Sequence, residues 1–267
     1  MKKLITYTVL SLFLLMVLFP FIWMVLTAVK PQAEALTISI VPKHITLNNF
    51  VKVFVQYNFM RYSLNSFIVA FVSAVVSTLF ASMAAYAFAK KTFRFKNLLF
   101  ALFLSSMMVP GLLYVVPQFA IVYGIGWVNT YLGMIVPHLA NVFGMFMLTQ
   151  FMKGIPDSLI EAAKIDGASE FKIFAKIMVP LTAPAIATVF LLNFQFHWNN
   201  FLWQLLIAQD ESLYTVPVGL AMFKSAHEEA YALKMAASTI AVTPIAVIFL
   251  LAQRYFIEGI TKGALKG

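Results

Sequence analysis

Six long apolar runs alternate along this chain with short polar segments, and none of its 10 Asp and Glu residues falls inside a run. The runs cover 4–28, 63–89, 98–122, 132–151, 184–208 and 236–257. A helix needs about 20 apolar residues to cross the hydrocarbon of a bilayer, and there the backbone must satisfy its own hydrogen bonds. The pattern therefore predicts an all-α integral membrane protein with six transmembrane helices in one domain, 1–267. Composition agrees, since 62% of residues are hydrophobic, 11% are charged and the mean hydropathy is +0.88. Lys2 and Lys3 precede the first run in the manner of a signal peptide. The run is too long for that role and no A-x-A site follows, so it reads as a retained helix.

Most of the 19 Lys and Arg residues fall on one side of this arrangement. With the N-terminus inside, the inner segments hold Lys2, Lys3, Lys90, Lys91, Arg94, Lys96, Lys153, Lys164, Lys172, Lys176, Arg254, Lys262 and Lys266. The positive-inside rule then places both termini in the cytoplasm. The net charge of +9 is a topology signal and implies no nucleic-acid partner. Of the outer segments, 29–62 is long enough to hold a surface helix, 123–131 is short, and 209–235 is acidic through Asp210, Glu211, Glu228 and Glu229.

Several chemistries are excluded on residue types alone. The chain has 0 cysteines, which removes thiolate catalysis, disulfides and iron–sulfur clusters. His227-Glu228-Glu229-Ala230-Tyr231 starts like a zinc-protease motif but has Tyr where the second His is required, and His44, His138 and His197 have no sequence neighbour to complete a metal site. No G-x-x-x-x-G-K-[ST] loop is present, so ATP and Mg, if used, sit on another chain. A proton- or sodium-coupled carrier needs a carboxylate within the membrane, and the runs offer none. A self-contained channel remains the alternative, although no run carries a filter-like loop or a ring-forming charge.

The polar segment 152–183 carries the most specific pattern. Pro156 suits the first turn of a helix, Asp157 and Glu161 place negative charge near its N-terminus, and Gly167 permits a sharp turn at its end. A helix is predicted over 156–165, with Leu159 and Ile160 as apolar contacts. A second starts after Ser169 as N-cap and puts Phe171, Phe174 and Met178 on one face, before Pro180 and Pro184. Glu161-Ala162-Ala163, Asp166-Gly167-Ala168, Phe174 and Pro180 together resemble the EAA loop of ABC importer permeases. The tail from Gln253 to Gly267 is similar to that of the maltose-type (MalG-like) carbohydrate permeases, so the resemblance spans nearly the whole chain. It implies a type I importer permease fold, and a coupling helix that docks into a separate ATPase. It also implies a second homologous permease subunit, two ATPase subunits, an extracytoplasmic solute-binding protein and residence in the bacterial cytoplasmic membrane. The basic, Gly-containing tail fits a flexible segment reaching the ATPase.

A pathway for the transported solute is expected along the fifth run. Asn193, His197, Asn200 and Gln204 recur at helical spacing and form a polar stripe beside Phe196, Trp198 and Trp203. Polar groups next to aromatic faces suit a sugar, with hydroxyls at its edges and C–H groups on its faces. The same four side chains would serve equally as helix–helix hydrogen bonds. Trp198-Asn199-Asn200-Phe201 looks like the family's Trp-Asn-acid-Phe pattern, with uncharged Asn200 at the acidic position. Gln118, His138, Asn141 and Asn65 are further candidates for lining a cavity. Ser73, Ser77, Ala81 and Ala85 form a small-residue stripe for close helix packing, and Pro110, Gly111 and Pro117 predict a break in the third run.

Overall fold

The second run, which lacks Gly and Pro, folds within one unbroken helix, and the first and sixth do so despite Pro20 and Pro244. The computed structural model describes the backbone of residues 2–37, 39–226 and 230–264, and the side chains of 3–37, 39–223 and 230–250. In chain order the α-helices are α1 (Lys2–Ala28), α2 (Asn48–Val55), α3 (Phe59–Lys90), α4 (Lys96–Ser106), α5 (Val115–Gly124), α6 (Tyr131–Ile135) and α7 (Val142–Lys153). They continue with α8 (Ser158–Ile165), α9 (Glu170–Ile173), α10 (Val179–Leu181), α11 (Ala183–Trp198), α12 (Leu202–Ile207), α13 (Val216–Ala226) and α14 (Tyr231–Ala264). Among the described residues there is no strand.

Three spans are single helices, Lys3–Ala28, Phe59–Lys90 and Tyr231–Leu250. Three helix pairs match a span in length and composition only when joined across a bend: Lys96–Ser106 with Gly111–Gly124 at 92°, Tyr131–His138 with Val142–Lys153 at 43°, and Glu170–Leu181 with Ala183–Trp198 at 82°, the Glu170–Leu181 arm of the last belonging to the polar segment 152–183. The first break falls at Pro110, as its missing N–H and fixed φ dictate. The protein is thus an all-α, multi-pass membrane protein of up to 6 spans, three of them broken.

The chain packs as two bodies. One comprises Met1–Asn65 with Tyr214–Ala246. In it the segment after α1 is tied down by buried Lys30, whose Nζ donates to the Ser39 carbonyl (2.6 Å), and by Asn49, whose Nδ2 donates to the carbonyls of Ala28 (2.7 Å) and Lys30 (2.8 Å). Phe59 and Tyr57 meet Phe223 of α13 edge-on, and Asn65 Nδ2 donates to the Tyr214 carbonyl (2.9 Å). The acidic segment 209–235 is therefore largely helical; His227, Glu228 and Glu229 lie outside the described residues.

The other body comprises Ser66–Leu213 with Val247–Gly267. The small residues Ser73, Ser77, Ala81 and Ala85 of α3 are all buried in it. The C-terminal segment differs from the flexible tail expected: α14 continues as helix to Ala264, its Gly residues notwithstanding. Leu265 to Gly267, and the side chains of the tail, lie outside the described residues.

Candidate functional site

The segment between α7 and α11 is a helix pair held against the ends of the long helices. α8 starts at Ser158, two residues later than predicted, because Pro156 and Asp157 form the turn that precedes it. α8 buries Ile160 and Ala163 and exposes Glu161, Ala162, Leu159 and Ile165. Its end is a Schellman motif: the Ala168 N–H donates to the Ala163 carbonyl (2.9 Å) and the Gly167 N–H to the Lys164 carbonyl (3.0 Å). Gly167 has φ +74°, the left-handed region in which a Cβ is penalised, although nothing lies within 4 Å of where a Cβ would stand. Glycine is required there for backbone conformation, and space is not the constraint. The spacing from Ala163 to Gly167 and Ala168 is thus the spacing of a helix stop.

Ser169 then caps α9, its Oγ accepting from the Lys172 N–H (3.4 Å). After α9 the helix widens into a π-turn over Phe174–Met178, in which the Val179 N–H reaches back to the Phe174 carbonyl. Pro180 follows immediately and can donate to no carbonyl, so the wide turn leads into the residue that an ordinary helix would accommodate poorly. Thr182 Oγ1 closes the bend by donating to the Met178 carbonyl (2.7 Å), and α11 departs at 82°. Phe174 and Met178 are buried as predicted, but Phe171 is 71% exposed. The inward face is centred on Ile173, Phe174 and Met178, and Phe171 falls to its side.

Three basic or aromatic residues at the end of α3 fix this pair. Lys90 Nζ donates to the Ile155 carbonyl (2.5 Å) and Asp157 Oδ1 (2.6 Å), its side chain only 4% exposed. Tyr86 Oη donates to Glu170 Oε2 (2.9 Å), and Lys91 Nζ donates to the same oxygen. The Lys91 ammonium, followed by the Tyr86 hydroxyl, holds the Glu170 carboxyl below the usual carboxylate range, and Lys90 does the same for Asp157. One apolar core joins Ile160, Ala163, Ile173, Phe174 and Met178 of this segment to Ala81, Ala85 and Tyr86 of α3, Leu148 and Met152 of α7, and Ala185 and Val189 of α11. Tyr86, Lys90 and Lys91 did not stand out in the sequence as site residues, since they carry no motif and Lys90 and Lys91 signal only topology. Glu161 stays exposed with no ion pair among the described residues, and Asp166 and Pro180 are exposed too.

Farther along α11 the predicted polar stripe divides. The helix ends at Trp198 and resumes at Leu202, so spacing no longer keeps the four residues on one face. Asn193 Oδ1 accepts from Asn141 Nδ2 (2.7 Å), and its own Nδ2 donates to Thr78 Oγ1 (3.2 Å), joining α11 to α7 and α3. Asn141 Oδ1 in turn caps α7 at the Gly144 N–H (2.8 Å). Gly144 is needed for this approach, since a Cβ would lie 2.5 Å from Asn141 Nδ2 and 2.7 Å from Val189. Asn200 Oδ1 accepts from the Trp203 N–H (3.3 Å) and lines a shallow depression at the break. Trp203 Nε1 donates to the Gly133 carbonyl (3.0 Å) and Gln204 Nε2 to that of Met134 (3.5 Å), both side chains buried against α6.

Asn193 and His197 border a cleft of about 480 Å³, together with Gln118, His138, Asn141 and Phe196. The cleft has no Asp, Glu, Lys or Arg in its lining. Three of the further candidates from the sequence, Gln118, His138 and Asn141, therefore meet two members of the stripe, while Asn200, Trp203 and Gln204 sit elsewhere.

A multi-span apolar domain that borders a polar cleft, and holds a short helix pair against the ends of its spans, is the body of a membrane permease. The chain belongs to the binding-protein-dependent transport system inner membrane component family, whose model matches residues 77–262. It is 35% identical over 254 residues to the arabinooligosaccharides transport system permease protein AraQ of Halalkalibacterium halodurans, covering 93% of this chain and 91% of that one. It is 36% identical over 255 residues to the trehalose/maltose transport system permease protein MalG of Thermococcus litoralis, covering 94% and 92%. A similar fold occurs in a crystal structure of a bacterial ABC transporter involved in the import of the acidic polysaccharide alginate, with a TM-score of 0.85 at 21% identity over 96% of each chain.

Proposed function

We propose that this chain is the sugar- or oligosaccharide-specific permease subunit of an ATP-driven importer, working with a second related permease, two ATPase subunits and an extracytoplasmic solute-binding protein. The observation that carries the reading is the helix pair α8–α9: it is anchored to α3, α7 and α11 through one core, yet it leaves Glu161, Ala162, Leu159, Ile165 and Phe171 uncovered. A surface of mixed charge with uncovered apolar side chains, on a firmly held element, suits docking into a cleft of a partner ATPase, which supplies ATP and Mg. Closure of the ATPase dimer would move α8, and the shared core would carry that motion into α3 and α11 to alternate access to the cleft. The carbohydrate class is supported by the relatives named above and by the uncharged, partly aromatic lining of the cleft. Both termini and α8 are assigned to the cytoplasmic side on the distribution of Lys and Arg.

The test is mass spectrometry of what co-purifies with the tagged chain from gently solubilised native membranes, followed by uptake assays on the reconstituted assembly. Recovery of a second permease with two ATPase copies, and ATP-dependent sugar uptake, is the expected result. Recovery of the chain alone under conditions that preserve other complexes would overturn the proposal.

A further inference from the structure

Among the described residues, three polar atoms around the cleft have no hydrogen-bond partner. Gln118 Oε1, His138 Nε2 and His197 Nδ1 are shielded from solvent and accept or donate no hydrogen bond, while Gln118 Nε2 is already used on the Pro137 carbonyl (3.1 Å). They come from three elements: α5, the turn Val136–His138 after α6, and α11. Rings gather there as well, with His138 centred 6.2 Å from His197 and 6.3 Å from Phe196, which is itself 58% exposed. Buried polar atoms are paired as a rule, and three unpaired ones around a single cleft mark a place where a ligand can supply what the protein does not.

We propose that this cleft is a subsite for one ring of an uncharged, polyhydroxylated ligand, whose hydroxyls pair with Gln118, His138 and His197 and whose C–H face lies on Phe196. The inference rests on the sugar-import reading and adds to it the contact residues on this chain and the neutrality of the ligand. A hydroxyl both donates and accepts, so it matches a carbonyl oxygen and either tautomer of each imidazole. A carboxylate or sulfate would enter a lining with no Lys or Arg to offset its lost hydration. The volume of about 480 Å³ falls within the range of about 300–1,000 Å³ usual for small-molecule sites. Because the three atoms are closed to solvent in this structure, the ligand engages them as α5 and α11 part.

The experiment uses the whole importer in proteoliposomes with arabinotriose, maltose, raffinose and, as the acidic probe, trigalacturonate. Uptake of a neutral sugar is expected; failure of all three neutral sugars would overturn the import reading itself. For the transported sugar, Gln118→Leu and His138→Phe are each expected to raise KM about tenfold, the worth of a hydrogen bond lost from a buried site, with His138→Asn retaining part of the affinity. Unchanged KM in both variants would overturn the subsite while leaving sugar import standing. A second readout covers variants that fail to assemble. The chain has 0 cysteines, so a single Ser106→Cys in the cleft can be followed with a neutral maleimide, beside Val116→Cys on an exposed face. The transported sugar is expected to slow labelling severalfold at position 106 and not at 116, with trigalacturonate without effect. Labelling at 106 that ignores the sugar, or protection by trigalacturonate equal to that by the sugar, would overturn the proposal.

Discussion

Tyr86 Oη donates to Glu170 Oε2 across 2.9 Å, tying the end of the unbroken span α3 to the first turn of the surface helix α9. Lys91 shares the same carboxylate, and its ammonium is the larger cause of the lowered Glu170 pKa. A carboxyl whose pKa is depressed on folding contributes stability above its unfolded pKa and loses it as pH falls through the folded value. The contact is therefore intact at neutral pH and weakens only below the ordinary carboxylate range. Melting of the detergent-solubilised protein should show wild type above Glu170→Gln at pH 7, with the gap closing towards pH 3. A gap that persists at pH 3 would mean that the carboxylate charge is not what matters there.

Gly167 offers a test of conformation against space. Its left-handed φ of +74° penalises any L-residue with a Cβ by about 1–2 kcal/mol, although the surrounding space is open. Gly167→Ala should therefore lower stability by about 1 kcal/mol, with Gly167→Asn milder because Asn tolerates this region. Gly167→Pro also removes the N–H that reaches Lys164, and should abolish uptake while leaving membrane insertion intact. Normal uptake by the proline variant, measured in vesicles, would rule out a mechanical role for this turn.

Lys90 is nearly buried and satisfies two acceptors, the Ile155 carbonyl and Asp157. Lys90→Met keeps the apolar stem but leaves that carbonyl without its donor, a loss of about 1–3 kcal/mol. Limited proteolysis should then cut faster between α7 and α8 than in wild type, and an unchanged rate would show that Lys90 does not hold that turn.

The Thr78–Asn193–Asn141 chain of hydrogen bonds crosses three helices. Interhelical bonds of this type average about 0.6 kcal/mol in a membrane. A double-mutant cycle of Asn193→Leu and Asn141→Leu should return a coupling of that order, while Gly144→Ala should cost more than either, because its Cβ would collide with Asn141 and Val189. Additive single and double variants would show that the two amides do not act on each other.

The all-helical, multi-pass character was legible because length and hydropathy alone demand it, and the helix stop of the loop motif because it is local: Gly167 and Ser169 announce their own conformations. The division of α11 from α12 was not. Asn193, His197, Asn200 and Gln204 keep helical spacing on paper, and nothing in that spacing reveals that the backbone leaves the helix between Trp198 and Leu202. The π-turn was equally silent, since only Pro180 hints at it. Phe171 shares its periodicity with Phe174 and Met178 yet stays exposed, while Glu170 beside it is held by Tyr86 and Lys91, which lie 79 or more residues earlier in the chain. Long-range partners of this kind leave no local trace.

The shared core of the helix pair has a practical meaning for anyone recombining such permeases. Ile160, Ala163, Ile173, Phe174 and Met178 are fitted to side chains on α3, α7 and α11, so the surface segment is not a cassette to be swapped at its two ends. A graft taken from a relative would have to bring along the residues facing it, Tyr86, Lys90 and Lys91 first among them. Without those, the donor segment would remain attached by its chain but would slip against its host.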